Sequence, residues 1–554
     1  MTRMFKVNYK DETFEVEEGT TLIEIAKKCQ KYYNYPIMVA KVDNDIVGLN
    51  YEISKKCEVE FFDRSSSLGN DVYSNSAYMM MVLAIKKVFG DEVDVEINNS
   101  IDNGVCCELL NHKLTKELLS DIKSAMDEIR KEDLIYTSMN VRRTDAMKYF
   151  KKIKKMDKVN VLKYISNSYV TLYRLDDHYD YFFSKLAYST KDITDYKLSY
   201  INDTLFIIST PSLEHPDEIL PYKNVPKIVE KFQESNEFGK KIGINNAADL
   251  NYTVSIGEVK HAIRMSELHY EKNLMDLAED IYLRKDSVKI VLLAGPSSSG
   301  KTTSAKKLSL YLETKGFNVI TLSTDDYFLD RDETPKDADG EYDFESIHAI
   351  DLKLFNSHLT KLLKGEKVNI PRYNFVEGTK EFEKNYIKMN EKDILVIEGL
   401  HALNEELTSS VPRKNKYKIF IAPFTQLNID NHNRIHTSDT RRLRRIIRDN
   451  RTRGRGAADT LRMWGKIRSG EFKWIYPFQN DADGIINSAL PYELGVLKTY
   501  VEPLLYSVDE DDEMYPEAIR LINILRNLLP IPSDYIPSDS VIREFIGGSG
   551  FYDI

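Results

Sequence analysis

Cysteine is scarce in this chain: 554 residues contain four, Cys29, Cys57, Cys106 and Cys107. None forms a CxxC pair, and the adjacent Cys106–Cys107 makes a poor disulfide or metal unit, so reduced thiols are expected. Long apolar runs are lacking too. The stretch MMMVLAI falls far short of the ~20 residues that cross a bilayer. The start, MTRMFKVNYKDETF, lacks the basic-then-apolar order of a secretion signal. A cytoplasmic protein with no membrane partner is expected. A basic surplus is also missing: 77 Lys+Arg against 87 Asp+Glu leave a net charge of -10. That argues against a surface coated for duplex binding, although a local basic patch depends on where charge sits. What remains is soluble and globular in character, 42% hydrophobic and 30% charged, and too long for one core.

Along the chain the periodicity changes several times. MFKVNY and ETFEVEE alternate apolar and polar residues and read as a hairpin. TTLIEIAKKCQKYY follows as a helix capped by Thr20 or Thr21, then the strand-like runs IMVAKVD and CEVEFFD. This ββαββ order over 1–63 resembles the β-grasp TGS domain. Residues 64–225 read as α+β, with SNSAYMMMVLAIKKVFG and KLTKELLSDIKSAMDEIRKED as helices. The stretch resembles the editing domain of threonyl-tRNA synthetases. Where that family carries a His-x-x-x-His pair this chain has Ser74 and Tyr78, and Phe182 and Leu186 stand about where its later Cys and His fall. Without imidazole or thiolate donors no metal is held and no water activated, so the resemblance implies a fold whose editing chemistry is lost. Residues 226–285 read as a helical connector. His261 and His269 lie two turns apart there, and are expected to be packing or surface residues.

The stretch LLAGPSSSGKTTSAKKL carries chemistry. KIVLLAG is a buried-strand run, and PSSSGKT turns it into a helix. Gly295, four residues, then Gly300-Lys301-Thr302 is a Walker A pattern in its strand–loop–helix setting. Glycines let backbone N–H groups face phosphate oxygens at a helix N-terminus. Nucleotide contacts are expected from Gly295, Ser297, Ser298, Ser299, Gly300, Lys301, Thr302 and Thr303. Lys301 should reach the β- and γ-phosphates, and Thr302 should ligate Mg²⁺.

Downstream, NVITLSTDDYF is a strand ending in Asp325-Asp326, and a carboxylate there can take a proton from an attacking hydroxyl. DILVIEG ends in Glu398, near the expected metal shell. TSDTRRLRRIIRDNRTRGR places Arg441, Arg442, Arg444, Arg445, Arg448, Arg451, Arg453 and Arg455 close together. A solvated face gripping RNA phosphates and a lid neutralising a transferred phosphoryl group both fit that spacing. Behind a Walker A loop the lid is favoured.

Together AGPSSSGKTT, LSTDDYF, IPRYNF, VIEG and RRIIRDNRTRGR resemble, in order and spacing, the uridine kinase/phosphoribulokinase family over about 288–490. The resemblance implies Asp325 as general base and Asp343 as the acid bonding ribose hydroxyls. It further implies Tyr373 and Phe375 beside the base, Arg444, Arg448 and Arg453 as lid arginines, and Glu398 with Thr302 at Mg²⁺. Two departures stand out: Gly378 replaces a base-reading histidine, and Phe328 replaces a tyrosine. Loss of that donor removes discrimination a buried hydrogen bond supplies.

The expected architecture is multidomain α/β and α+β: a TGS-like β-grasp unit (1–63), a degenerate editing-domain-like unit (64–225), a helical connector (226–285), a P-loop kinase with a parallel sheet (286–500), and a C-terminal helix and docking tail (501–554). The expected activity is ATP- or GTP-dependent phosphorylation of a nucleoside at the ribose 5′-hydroxyl. A sugar-phosphate kinase, with Arg372 as the spare cation for a second phosphate, is the nearest rival. An RNA-associated nucleotide switch, acting through the leading modules, is the third. Oligomeric state stays open.

Overall fold

The computed structural model describes residues 3–337, 340–374, 377–424 and 427–551; Phe375 lies outside them. The leading unit is a five-stranded sheet ordered Glu12–Glu17, Met4–Tyr9, Cys57–Asp63, Ile37–Val42, Asp45–Val47. Met4–Tyr9 runs parallel to Cys57–Asp63 and the other neighbours are antiparallel. Alternation turns Val7, Tyr9 and Val16 inward. Helix Leu22–Cys29, started by a capping box between Thr21 and Glu24, buries Leu22, Ile25, Ala26 and Cys29 over the sheet. The short strand Asp45–Val47 adds one element to the ββαββ order read from the sequence.

The second region packs helices Ser67–Phe89 and Lys116–Lys131 against a four-stranded antiparallel sheet. Tyr78, Phe182 and Leu186 are buried in its apolar core, and Ser74 Oγ lies 3.0 Å from Thr210 Oγ1. Those four positions supply packing and a hydroxyl pair. All four cysteines are free and buried, and burial pushes the Cys106 thiol up to about 12. Helices Pro226–Ile242, Ala247–Ser255 and Val259–Leu283 follow. His269 stacks on Phe238 at 4.0 Å, whereas His261 is exposed.

The last sheet is wholly parallel, ordered Asn318–Ser323, Asp393–Glu398, Ile290–Ala294, Lys416–Ala422, Gly484–Asn487. Ile290–Ala294 is central and fully buried, as its unbroken apolar run requires. Helix Glu493–Tyr506 runs straight through residue 500. The boundary expected there therefore falls inside an element, because the helix buries Leu494, Leu497 and Val501 along one face. No described helix is long and apolar enough to cross a membrane.

The leading half is keyed into this sheet by residues 427–436. The Ile97 N–H donates to Asn431 O at 2.7 Å, and Asn428 Nδ2 donates to Ile97 O at 3.2 Å. Beside them Lys158, Asp180, Asp430 and His432 form a charge cluster shut from solvent. Arg434 reaches across to donate to Ser100 Oγ at 2.6 Å.

Candidate active site

The loop after Ile290–Ala294 has the shape its glycines predict. A Cβ on Gly295 would lie 2.0 Å from Ile421 O, and Gly300 has φ +85° immediately before helix Lys301–Thr314. The loop is held from behind by side chains on helix Thr437–Arg453 and helix Ala457–Trp474. Arg441 Nη1 donates to Ser297 O (3.2 Å), Arg445 Nη1 to Ser297 Oγ (2.6 Å), and Arg444 Nη1 to Ser298 O (3.3 Å). Glu471 accepts from Ser297 N–H at 3.3 Å and from Arg441 Nη2 at 2.8 Å.

This arrangement corrects the expected role of Arg444. Its guanidinium is 0% exposed, with Nη2 at 2.6 Å from Glu493 Oε2 and 2.7 Å from Ser488 O. A phosphate loop turns its N–H groups to the ligand and its carbonyls away. An arginine bonded to loop carbonyls therefore braces the outer side. Arg441 and Arg445 are buried likewise, and Arg451 Nε donates to Phe545 O at 3.2 Å. Arg441, Arg444 and Arg445 thus form no solvated face. Arg448 and Arg453 differ: both pair with Asp449, and both act on Asp325.

Asp325 stands in the turn Thr324–Tyr327 at the end of strand Asn318–Ser323. Its residue surface is exposed, while protein crowds its carboxyl on the other sides. That crowding pushes the carboxyl up, and Lys301, Arg453 and Arg448 pull it back. Lys301 Nζ lies across the loop, donating to Gly295 O (3.0 Å) and Pro296 O (3.1 Å), and burial lowers its pKa. Glu398 accepts from Thr302 Oγ1 at 3.5 Å and from Ser323 Oγ at 3.2 Å. Burial, then Asp325, push Glu398 up to about 7. A hydroxyl and a carboxylate strained by a neighbouring acid suit Mg²⁺, which takes one or two protein oxygens and completes its shell with phosphate and water.

On the acceptor side Asp343 Oδ1 accepts from Glu345 N–H at 3.2 Å. Tyr373 is buried with its ring 5.6 Å from that of Phe328. Arg372 is exposed, and its charge reaches Asp326. Gly378 has φ +75°, and the Arg331 side chain lies against it. Three residues that motif reading missed belong to the same neighbourhood. Glu345 is half-buried, its Oε2 shut from solvent without a hydrogen-bond partner, and desolvation pushes it up to about 7, with Glu471 adding to the rise and Arg445 and Lys301 opposing it. His401 is buried, and burial and Lys301 push it down to about 4. Both stand within three residues of acids already singled out, a signal available in EYDFES and EGLH. The third, Glu544, accepts from Thr303 and had no local signal.

Residues 290–492 match the model of the Phosphoribulokinase / Uridine kinase family. They are a domain of that family. The uridine kinase of Mycoplasma genitalium is 29% identical over 224 residues, covering 40% of this chain and 96% of that one. The uridine kinase of Deinococcus deserti is 28% identical over 199 residues, covering 36% and 86%. The N-terminal region is similar to threonine–tRNA ligases; that of Natranaerobius thermophilus is 32% identical over 152 residues, 27% of this chain. The chain spans 24% of that ligase's length. The likeness thus joins part of a ligase to nearly all of a small kinase.

Proposed function

We propose that the chain is a nucleoside kinase, transferring the γ-phosphoryl group of ATP or GTP to a ribosyl 5′-hydroxyl. The observation that carries this is Asp325, exposed at a strand end and under the charges of Lys301, Arg453 and Arg448. Crowding makes it more basic than an ordinary aspartate, which suits a proton acceptor. The acceptor oxygen bonds to the γ-phosphorus as the bond to the β-phosphate oxygen breaks. The hydroxyl proton passes to Asp325, and the nucleoside diphosphate leaves. Lys301, Arg448 and Arg453 offset charge on the moving group. Mg²⁺, held by Thr302 and Glu398, supplies further charge neutralisation when bound. Asp343 suits vicinal ribose hydroxyls, with Tyr373 and Phe328 as an apolar wall.

A phosphorylated sugar as acceptor is the second reading, favoured by Arg331 against Gly378 and Arg372 beside Asp326. Purified protein with ATP or GTP and Mg²⁺, screened against nucleosides, ribulose 5-phosphate and free sugars, separates the two. Nucleosides are expected to stimulate nucleoside diphosphate release. Stimulation by phosphorylated sugars alone would replace the first reading with the second, and stimulation by no acceptor would overturn both.

A further inference from the structure

The Thr303 end of the phosphate loop carries an anion of the chain's own. Glu544 Oε2 accepts from the Thr303 N–H at 3.0 Å and from Thr303 Oγ1 at 2.8 Å, across 241 positions of sequence. Its negative charge also reaches Lys301 and Glu398. The backbone around it is firmly seated. Val541, Ile542 and Phe545 are wholly buried, Asp539 pairs with Lys307 at 2.8 Å, and Arg451 Nη2 donates to Glu544 O at 3.3 Å. Val541 lies so close that a Cβ on Gly300 would stand 2.3 Å from its Cγ2. The tail is therefore part of the core, and the Glu544 carboxylate is the piece able to turn.

In a Walker loop the lysine faces the β- and γ-phosphates, and the N–H groups beyond it, in the first helical turn, face the phosphate nearest the nucleoside. A carboxylate bonded to the N–H and hydroxyl of Thr303 uses the donors that this phosphate needs. Two anions do not share one such pair of donors, because each would lose a charge-assisted hydrogen bond and gain a like-charged neighbour.

We infer that Glu544 is a specificity-determining residue of the nucleotide site: its carboxylate holds the α-phosphate seat at Thr303, so that a nucleotide binds by turning it out and inorganic pyrophosphate does not meet it. This rests on the loop being a nucleotide site, as proposed above. Glu544 then lowers affinity for ligands with an α-phosphate and spares those carrying two phosphates alone.

The test is calorimetric titration of the full chain with ADP and with inorganic pyrophosphate, both with Mg²⁺, for wild type, Glu544→Gln and Glu544→Ala. Gln keeps the volume and a hydrogen-bond acceptor; Ala removes both. Both variants are expected to bind ADP about tenfold tighter, a loss of one charge-assisted competitor, and pyrophosphate within about twofold of wild type. Unfolding curves identify a variant that fails to fold, and the other then decides. Unchanged or weaker ADP binding in a folded variant overturns the inference, as does an equal gain for pyrophosphate. If wild type binds either ligand while the variants behave as wild type, the nucleotide-site reading stands and this inference alone fails. If no protein binds either ligand, both fail.

Discussion

Arg444 and Glu493 form an ion pair shut from solvent, with Nη2 at 2.6 Å from Oε2. The same guanidinium holds Ser298 O and Ser488 O, so one side chain joins the phosphate loop, the arginine helix and helix Glu493–Tyr506. Arg444→Ala would leave Glu493 buried and unpaired, which costs about 3–5 kcal/mol. Arg444→Lys would lose the planar fork and is expected to rescue little. Arg448→Ala should differ: Asp449 keeps Arg445 and Arg453, so urea unfolding should shift little while kcat falls. Equal loss of stability in the two alanine variants would refute the division between brace and lid.

Asp325→Asn is expected to lower kcat by about 10²–10⁴-fold, the usual worth of a positioned base. Nucleotide affinity should hold or tighten, since a negative charge near Lys301 is removed. Steady-state rates paired with nucleotide titration check both halves. A kcat unchanged by the substitution would remove Asp325 from proton transfer.

The phosphate loop was legible because its determinants are local: glycine spacing, a buried strand before, a helix after. Asp325 was legible for the same reason, as an acid at a strand end. Period-two alternation likewise exposed the leading hairpin. Arg444 was misread because a family resemblance matches a residue to a motif position and does not tell what its guanidinium meets in this chain. Its partner Glu493 lies 49 residues on, and Arg441 finds Glu471 at 30. Glu544 lies 241 residues from Thr303, and no window joins them. The keying of residues 427–436 into the leading half is also purely tertiary. There Asp94, Lys158 and Asp180 of the leading half complete a buried charge cluster with Asp430 and His432.

Within that cluster His432 is expected to make stability fall as pH rises, whereas Asp94 and Asp180, held below the ordinary carboxylate range, act only at acid pH. His432 Nδ1 bonds Asp180, and Nε2 lies 3.1 Å from Asp94 Oδ1. Burial alone would strip its proton, but Asp180 and then Asp94 overcome it, against Lys158, and raise the imidazole to about 9. A folded value above the ordinary 6.5 means a stabilisation fully present below 6.5 and lost as pH climbs through 9. The shift corresponds to about 3 kcal/mol at most. Unfolding of wild type and His432→Gln should therefore diverge at pH 6.5 and converge near pH 9.5. Parallel curves at both values would show that another group carries the dependence.

Gly378 occupies the position where the uridine kinase resemblance expects a base-reading histidine, and the backbone there resists one. With φ +75°, any L side chain costs about 1–2 kcal/mol. A Cβ would also stand 2.6 Å from Arg331 Nε and 2.8 Å from its Cζ, while the Arg331 N–H donates to Gly378 O at 2.8 Å. Gly378→His is therefore expected to lose stability without gaining preference for pyrimidine nucleosides. Pairing it with Arg331→Ala should recover the part due to crowding and leave the conformational part. The ratio of kcat/KM for uridine over a purine nucleoside reads the second half of the claim. A gain of about tenfold for uridine in Gly378→His would mean that the turn reshapes to seat an imidazole, a gain that a strained, occupied position should not allow.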